Sequence, residues 1–340
     1  MRREFAKVIT GENLSVAESE AAMDAIMSGE ATDAQIAGYI TALRMKGETI
    51  SEITGAARVM REKAAAIKTN QEQLVDVCGT GGDSLDTFNI STTTSFVVAG
   101  AGVSVAKHGN RSVSSQSGSA DVLEELGVNL DLDPAQVGKC IDEIGIGFLY
   151  APLFHQAMKH AIGPRKELGT RTIFNMLGPL TNPARANIQL LGVYDPELTE
   201  PIAYALNNLG VEAAFVVHGL EGLDELSTIG RTKISRLDKG RIKNYTLKPQ
   251  DLGLEEATPE ELKGGSAKEN AEILRNILAG DKGKKRDIVL LNASAALVAA
   301  GQAENLMAGI ELAEEVIDSG AALKKLNQLI KLSNRCKNIN

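Results

Sequence analysis

At Leu74 the hydrophobic period of this chain changes, and that change limits its fold more than any single motif does. Before it the sequence reads as helix alone. Ser15 is placed to cap "VAESEAAMDAIMSG", Thr32 or Asp33 to cap "AQIAGYITALRMKG", and Ser51 to cap "EITGAARVMREKAAA", with Gly47 as a helix stop. After Leu74, short β-branched runs alternate with helical patterns. "LVDVCG", "VSVAKHG", "GFLYAP", "QLLGVYD" and "AAFVVHG" read as strands, with helices such as "SADVLEELG" and "ELTEPIAYALNNLG" between them. Alternation of this kind predicts a parallel α/β sheet. A polar, β-rich insertion around "RTKISRLDKGRIKNYTLKP" and two long helices near the C-terminus complete the chain. No internal repeat or low-complexity tract interrupts it.

A chain of 340 residues buries a substantial core and forms two domains, or one domain with a large appendage. Aromatic residues make up 4% and tryptophan is absent, so the core is expected to be closely packed Ala, Val, Leu and Ile. A net charge of −8 argues against nucleic acid or an anionic membrane bound over a broad surface, so any anion site must be local. The N-terminus "MRREFAKVITGENLS" has no apolar signal core, and "IVLLNASAALVAAG" is too short and too polar to span a bilayer; cytoplasm is the expected compartment. Cys78, Cys140 and Cys336 are odd in number and far apart, the pattern of free thiols.

Four segments carry chemistry. "VDVCGTGGDSLDTFNIST", residues 75–92, breaks an apolar strand into bare backbone and then hydroxyls. Glycine lets main-chain N–H groups approach an anion, and a following helix adds its positive end. No Gly-Lys-Ser/Thr follows and the third glycine of a dinucleotide fingerprint is missing, so the loop is either a phosphate cradle of another kind or a tight turn. "KHGNRSVSSQSGSADVLEELG", residues 107–127, is a second strand-to-helix turn rich in cations, amides and hydroxyls. Both turns belong at the carboxyl edge of one parallel sheet, where such folds bind ligands. The acids of "GLEGLDELS", Asp224 and Glu225, are either solvated loop charges or, at that same edge, ligands for magnesium on a phosphorylated substrate. "HQAMKHAIGPRKELGTRT" reads as a helix carrying His155, His160, Arg165 and Arg171. Its histidines lack the four-residue step of a metal pair. Arg165, at the break made by Pro164, either grips a carboxylate or is an ordinary exposed arginine. Cys78 has no base partner and is expected to be packing rather than a nucleophile.

"DVCGTGGD", "FNIST", "KHGNRSVSSQSGSADVLEELG", "ELGTRTIFNMLGPLTNPA" and "LDELS" occur in an order and spacing that resembles the anthranilate phosphoribosyltransferase family, from the helical N-terminus to the last helices. That resemblance implies an enzyme joining anthranilate to phosphoribosyl pyrophosphate in tryptophan biosynthesis. It implies a small helical domain, residues 1–72 completed by a helical segment near 163–188, on a larger α/β domain, 73–340, with a mainly parallel central sheet of the nucleoside phosphorylase type. The substrate cleft would lie between the domains, and a homodimer would form through the small ones. Gly79, Gly82, Asp83, Thr87, Asn89, Ile90, Ser91 and Thr92 would belong to the phosphoribosyl pyrophosphate site, with Ser91 also touching Mg²⁺. Lys107, His108, Gly109, Asn110, Arg111, Ser112, Val113, Ser114, Ser115 and Ser119 would surround the phosphates. Asp224 and Glu225 would hold Mg²⁺, and Gly79, Asn110 and Arg165 would meet anthranilate. Gln116 stands where the family commonly has lysine, and Gln156 where it commonly has proline.

The chemistry agrees with that inventory. Expelling pyrophosphate from an anomeric carbon needs cations and N–H donors around the diphosphate more than it needs a nucleophile, and an aromatic amine is already unprotonated near neutral pH. No Ser-His-Asp or Cys-His arrangement stands out, and His108 is given no proton-transfer role. Pyrimidine nucleoside phosphorylases share the expected architecture but carry a different serine- and glycine-rich segment after "KH". The acids-then-threonine-glycine pattern of type I phosphoribosyltransferases is missing. A non-catalytic, nucleic-acid-binding relative is disfavoured by the acidic balance and the intact acid pair.

Overall fold

The computed structural model describes residues 1–82, 85–112 and 117–337. Four helices open the chain: α1 (Arg2–Ile9), α2 (Val16–Met27), α3 (Asp33–Lys46) and α4 (Ile50–Lys63). Ser15 and Thr32 cap α2 and α3 as expected, and Gly47 closes α3 at φ 87°. The cap of α4 is Thr49, not Ser51. Only Thr49 has a glutamate three residues on, and Glu52 returns its carboxylate to the Thr49 N–H at 2.8 Å, completing a reciprocal box that Ser51 cannot form. Glu52 is fully buried and also accepts Lys46 Nζ at 2.9 Å and the Leu14 N–H at 3.0 Å, which ties α3 and the α1–α2 connection to α4.

The α/β region runs β1 (Val75–Gly79), α5 (Ile90–Gly100), β2 (Val105–Gly109), α6 (Ser119–Glu125), α7 (Pro134–Ile144), β3 (Ile146–Tyr150), α8 (Ala151–Phe154), α9 (Lys159–Leu168), α10 (Ile173–Leu180), β4 (Ile188–Gly192), α11 (Thr199–Asn208) and β5 (Ala213–Gly219). The polar insertion is a hairpin of β6 (Thr232–Asp238) and β7 (Arg241–Leu247), closed by Lys239 and Gly240 with φ of 47° and 82°, a two-residue turn that suits strand twist. Short α12 (Pro259–Leu262) follows, then α13 (Ala267–Leu278), α14 (Lys284–Ala299), α15 (Leu306–Asp318) and α16 (Ala321–Lys337). Four helices therefore stand where two long ones were expected. The segment around His155 also differs: α9 starts at Lys159, His155 precedes it, Arg171 follows it, and Pro164 sits inside the helix without ending it.

The sheet order is β3-β2-β1-β4-β5-β6-β7, parallel through β5 and antiparallel beyond. Strand order reverses between β1 and β4, which makes their carboxyl ends the switch point. Alternate strand residues enter two cores. Val77, Leu190, Phe215 and Val217 pack with α5, α14 and α16, whereas Cys78, Leu191, Ala214 and Val216 share a core with Ile26, Ile40 and Met60 of the helical bundle. Helices α9 and α10 pack on α2, α3 and α4. One sheet face is thus continuous with the bundle core, and Cys78 is a buried packing residue whose thiol is pushed up by burial and by Asp76.

Candidate active site

At the switch point, β1 and β4 run in register, so Gly79 lies beside Gly192 at their carboxyl ends. The acid loop rests on this pair. A Cβ on Gly79 would stand 2.3 Å from Asp224 Oδ2, and one on Gly192 would stand 1.5 Å from the Asp224 carbonyl oxygen. Asp224 Oδ2 also accepts the Gly81 N–H at 2.8 Å, which joins the acid loop to the glycine loop. Two bare strand ends are what allow a carboxylate to lie this close to backbone. From the other side Asn292 of α14 accepts from the Leu226 N–H at 3.0 Å and donates to the Leu226 carbonyl at 2.9 Å. Asp224 and Glu225 are both buried, and burial raises the Asp224 carboxyl above its ordinary range against the lowering effect of the Gly81 N–H. A buried carboxylate with a raised pKa is short of positive charge. Two carboxylates, rather than a cage, suit magnesium, which keeps water and substrate oxygens; no cluster of three or more His, Cys, Asp or Glu occurs among the described residues.

The second wall is the start of α5. Asn89 is its N-cap residue, but the side chain does not cap; it accepts from Asn270 Nδ2 at 3.1 Å and donates to the Ser117 carbonyl at 3.3 Å. First-turn amides of an α-helix have no acceptor within it, so the α5 end presents N–H donors. Lys107 crosses beneath, giving Nζ to the Val77 carbonyl at 2.7 Å and to Ser91 Oγ at 3.4 Å. Asp76, fully buried in mid-strand, accepts the His108 N–H at 3.1 Å and Asn182 Nδ2 at 2.8 Å. Burial raises its carboxyl while Lys107 opposes the rise.

The third wall comes from α9 and α10. Arg165 lies 5.1 Å over the Phe174 ring and has no carboxylate partner among the described residues; burial lowers its pKa. Six residues on, Arg171 donates from Nη2 to the Gly82 carbonyl at 2.6 Å and stacks on Tyr194 at 4.4 Å. The rings of His108 and His155 lie 5.1 Å apart, each bonded to backbone of the segment 178–181. Their Nε2 atoms are buried with no partner among the described residues. Burial holds His108 at about 3 and His155 at about 4, so both are neutral acceptors at pH 7.

The expected residues sort clearly. Gly79, Gly82, Asp224 and Glu225 gather at the switch point, and Lys107 and Ser91 meet beside them. Thr87 pairs in a β-bridge with Lys263, Ile90 and Thr92 start α5, and Gly109, Asn110 and Ser119 meet where the Ser119 hydroxyl donates to the Asn110 carbonyl at 3.2 Å. The Ser112 N–H is held by Asp121 Oδ2 at 3.1 Å. Arg111 turns its guanidinium to Asp121 at 2.8 Å and Glu124 at 2.9 Å on α6, so its charge is already paired. Asp83, Val113, Ser114, Ser115 and Gln116 lie outside the described residues, and Gln156 is exposed. Five contributors carried no role in the sequence reading: Asp76, Arg171, Asn182, Asn270 and Asn292. Asp76 and Asn292 had a legible signal, a polar residue inside an apolar run, and Arg171 stood out only as a cation of its segment; Asn182 and Asn270 had none.

A helical bundle on a parallel sheet, with glycine loops and an acid pair at the switch point, is the two-part architecture that the models of the glycosyl transferase family match. The helical-bundle model of the glycosyl transferase family matches residues 5–64 and its a/b-domain model residues 71–323. The chain is 58% identical to anthranilate phosphoribosyltransferase of Acetivibrio thermocellus, over 98% of this chain and 97% of that one, and 57% identical to that of Moorella thermoacetica, over 97% of each. The Thermus thermophilus enzyme superposes with a TM-score of 0.93 at 45% identity, covering 97% of this chain and 99% of that one. The Saccharomyces cerevisiae enzyme, solved in complex with PRPP and Mg, gives 0.89 at 31% identity, covering 98% and 97%. The chain belongs to the anthranilate phosphoribosyltransferase family.

Proposed function

We propose that this chain transfers the 5-phosphoribosyl group of phosphoribosyl pyrophosphate to the amine of anthranilate, giving N-(5-phosphoribosyl)anthranilate and pyrophosphate in tryptophan biosynthesis. The observation that carries the reading is the seating of Asp224 on Gly79 and Gly192, beside the glycine loop and the α5 N-terminus. In this reading Asp224 and Glu225, with the Ser91 hydroxyl, hold Mg²⁺, which neutralises charge developing on the departing diphosphate when bound. Backbone of Gly79, Gly82 and the run from Asn89 to Thr92 faces the phosphoribosyl pyrophosphate, with Thr87 alongside; Asp83, assigned to the same site, lies outside the described residues. Lys107 to Ser112 and Ser119 border the phosphates, Arg111 serving through backbone because its side chain is paired to α6; Val113, Ser114 and Ser115, assigned to the same site, lie outside the described residues. Gly79, Asn110 and Arg165 receive anthranilate, the desolvated Arg165 guanidinium meeting its carboxylate. As the amine nitrogen bonds to the anomeric carbon, the bond to pyrophosphate breaks and the extra amine proton passes to water. No general base is assigned, which accords with the low basicity of both buried histidines.

The same reading divides the chain into a helical domain, 1–72 with 163–188, and an α/β domain, 73–340, supported by the packing of α9 and α10 on the bundle. It makes the protein a homodimer through the small domains, supported by exposed Ile9, Met45 and Ile162 on α1, α3 and α9. It puts the reaction in the cytoplasm, supported by three buried thiols in reduced form; no described helix is long and apolar enough to cross a membrane. Anthranilate fluorescence should fall when phosphoribosyl pyrophosphate and magnesium are added together and not with either alone. Unchanged fluorescence, with phosphate-dependent cleavage of thymidine or uridine, would replace the reading with a nucleoside phosphorylase.

A further inference from the structure

On the other edge of the sheet a cavity of about 310 Å³ is lined by Arg58, Arg61, Glu62, Arg185, Asn208 and Gly210. Arg185 stands three residues before β4 and Gly210 three before β5, so the cavity opens at the amino ends of the strands whose carboxyl ends carry the acid loop. Its remaining wall is the last turns of α4, making it a junction between the helical bundle and the sheet.

The charges there are unbalanced. Arg58 gives one nitrogen to Glu20 at 3.2 Å and another to the Asn208 carbonyl at 3.3 Å. Arg61 gives Nε to the Leu180 carbonyl at 2.6 Å and Nη1 to the Leu209 carbonyl at 2.9 Å, closing the ends of α10 and α11. That clipping role accounts for two of its nitrogens. The third, Nη2, is buried with no partner among the described residues. Burial, and then the charge of Arg185 on the same cavity, pull the Arg61 guanidinium down to about 10, so it stays charged at neutral pH. No carboxylate pairs with Arg61 or Arg185 among the described residues. Arg185 is moreover held at φ 54°, a conformation that non-glycine residues seldom adopt. Two arginines line one cavity, one of them with an unused buried donor, and neither has a carboxylate partner among the described residues. At ~30 Å³ per water the cavity holds about ten waters, room for a tetrahedral oxyanion and a small organic substituent.

We propose that this cavity binds a phosphate-type oxyanion, free or as a monoester, between Arg61 and Arg185, and so fastens α4 to the α/β domain. The forked donors of arginine match such an anion, and an anion bound only by the folded protein stabilises it in proportion to its occupancy.

The test is calorimetric and thermal titration of the full chain without magnesium, using inorganic phosphate and glycerol 3-phosphate, with potassium chloride at matched ionic strength. Phosphate should bind about tenfold more weakly to Arg61→Gln and at least fivefold more weakly to Arg185→Ala, with KM for phosphoribosyl pyrophosphate unchanged in both. Arg185 is exposed, so its variant decides the matter even if Arg61→Gln folds poorly. Tighter binding of glycerol 3-phosphate than of phosphate would identify a monoester site, and equal binding a site for the phosphate group alone; both support the proposal. Equal phosphate affinity in the parent and Arg185→Ala, or the same thermal shift from chloride, would overturn it.

Discussion

Arg165 is a half-buried cation over an aromatic ring with no acid beside it among the described residues. Burying a charge without a partner is costly unless a ligand supplies the counter-charge, and anthranilate brings a carboxylate. A charge-assisted bidentate pair contributes about 1.5–3 kcal/mol, so Arg165→Ala should raise KM for anthranilate roughly tenfold or more and leave that for phosphoribosyl pyrophosphate nearly unchanged. Steady-state kinetics with each substrate varied in turn checks this; the opposite split would remove Arg165 from the acceptor site. Asp224 and Glu225 are buried acids with the same need of a counter-charge. Replacing them with Asn and Gln keeps size and removes both charges, so activity should fall by orders of magnitude at ordinary magnesium and recover partly when magnesium is raised. Activation curves that superimpose on the parent's would show that these acids do not hold the metal.

Elements meet at the switch point only because two strands end in glycine. A methyl group on Gly192 would coincide with the backbone of Asp224, and backbone cannot rotate away as a side chain can. Gly192→Ala must therefore displace the acid loop from β4, against the two hydrogen bonds through which Asn292 holds it from α14. We expect a loss of about 1–3 kcal/mol in denaturant unfolding, in the range of overpacked sites, together with more than a tenfold loss of activity. A variant with parental stability and activity would mean that the loop position is immaterial to the reaction. Gly82 at φ 83°, under the Arg171 guanidinium, answers the same need in the neighbouring loop.

Across the whole molecule, the His108–His155 pair lies where residues of β2 and the segment after α8 meet backbone in the last turn of α10 and just beyond it. Burial is the first cause of both depressed pKa values, about 3 and about 4. An unfolded histidine titrates near 6.5, so between that pH and about 4 the unfolded chain binds more protons than the folded one. This contribution is complete above pH 6.5 and is lost as pH falls toward 4. Asp76 and Asp224, raised by burial, act in the opposite sense above the ordinary carboxyl range, so the histidine effect is best read as a difference between variants. His155→Gln should lose less stability than the parent between pH 6.5 and pH 4, by on the order of 3 kcal/mol. Parallel unfolding curves for the two proteins across that range would show that His155 is not buried neutral.

Every strand and the caps at Ser15 and Thr32 could be read from the sequence, because period and capping depend on neighbours a few residues apart. The glycine loop, the Lys107 turn and the acid pair were legible for the same reason: each is a local run of unusual composition. The partners that hold them were not. Asn270 reaches Asn89 across 181 positions and Asn182 reaches Asp76 across 106, and no local pattern encodes a hydrogen bond between such distant residues. Boundaries failed where local rules competed, as at Thr49 against Ser51, settled by the buried Glu52, and at Pro164, kept within α9 despite its missing N–H. Residue types alone marked which segments have a composition suited to phosphate and metal, since that chemistry belongs to side chains and bare backbone rather than to their placement. That strand order reverses between β1 and β4, that Gly79 therefore lies beside Gly192, and that one carboxylate rests on both came from the folded chain, because adjacency in a sheet is set by long-range packing.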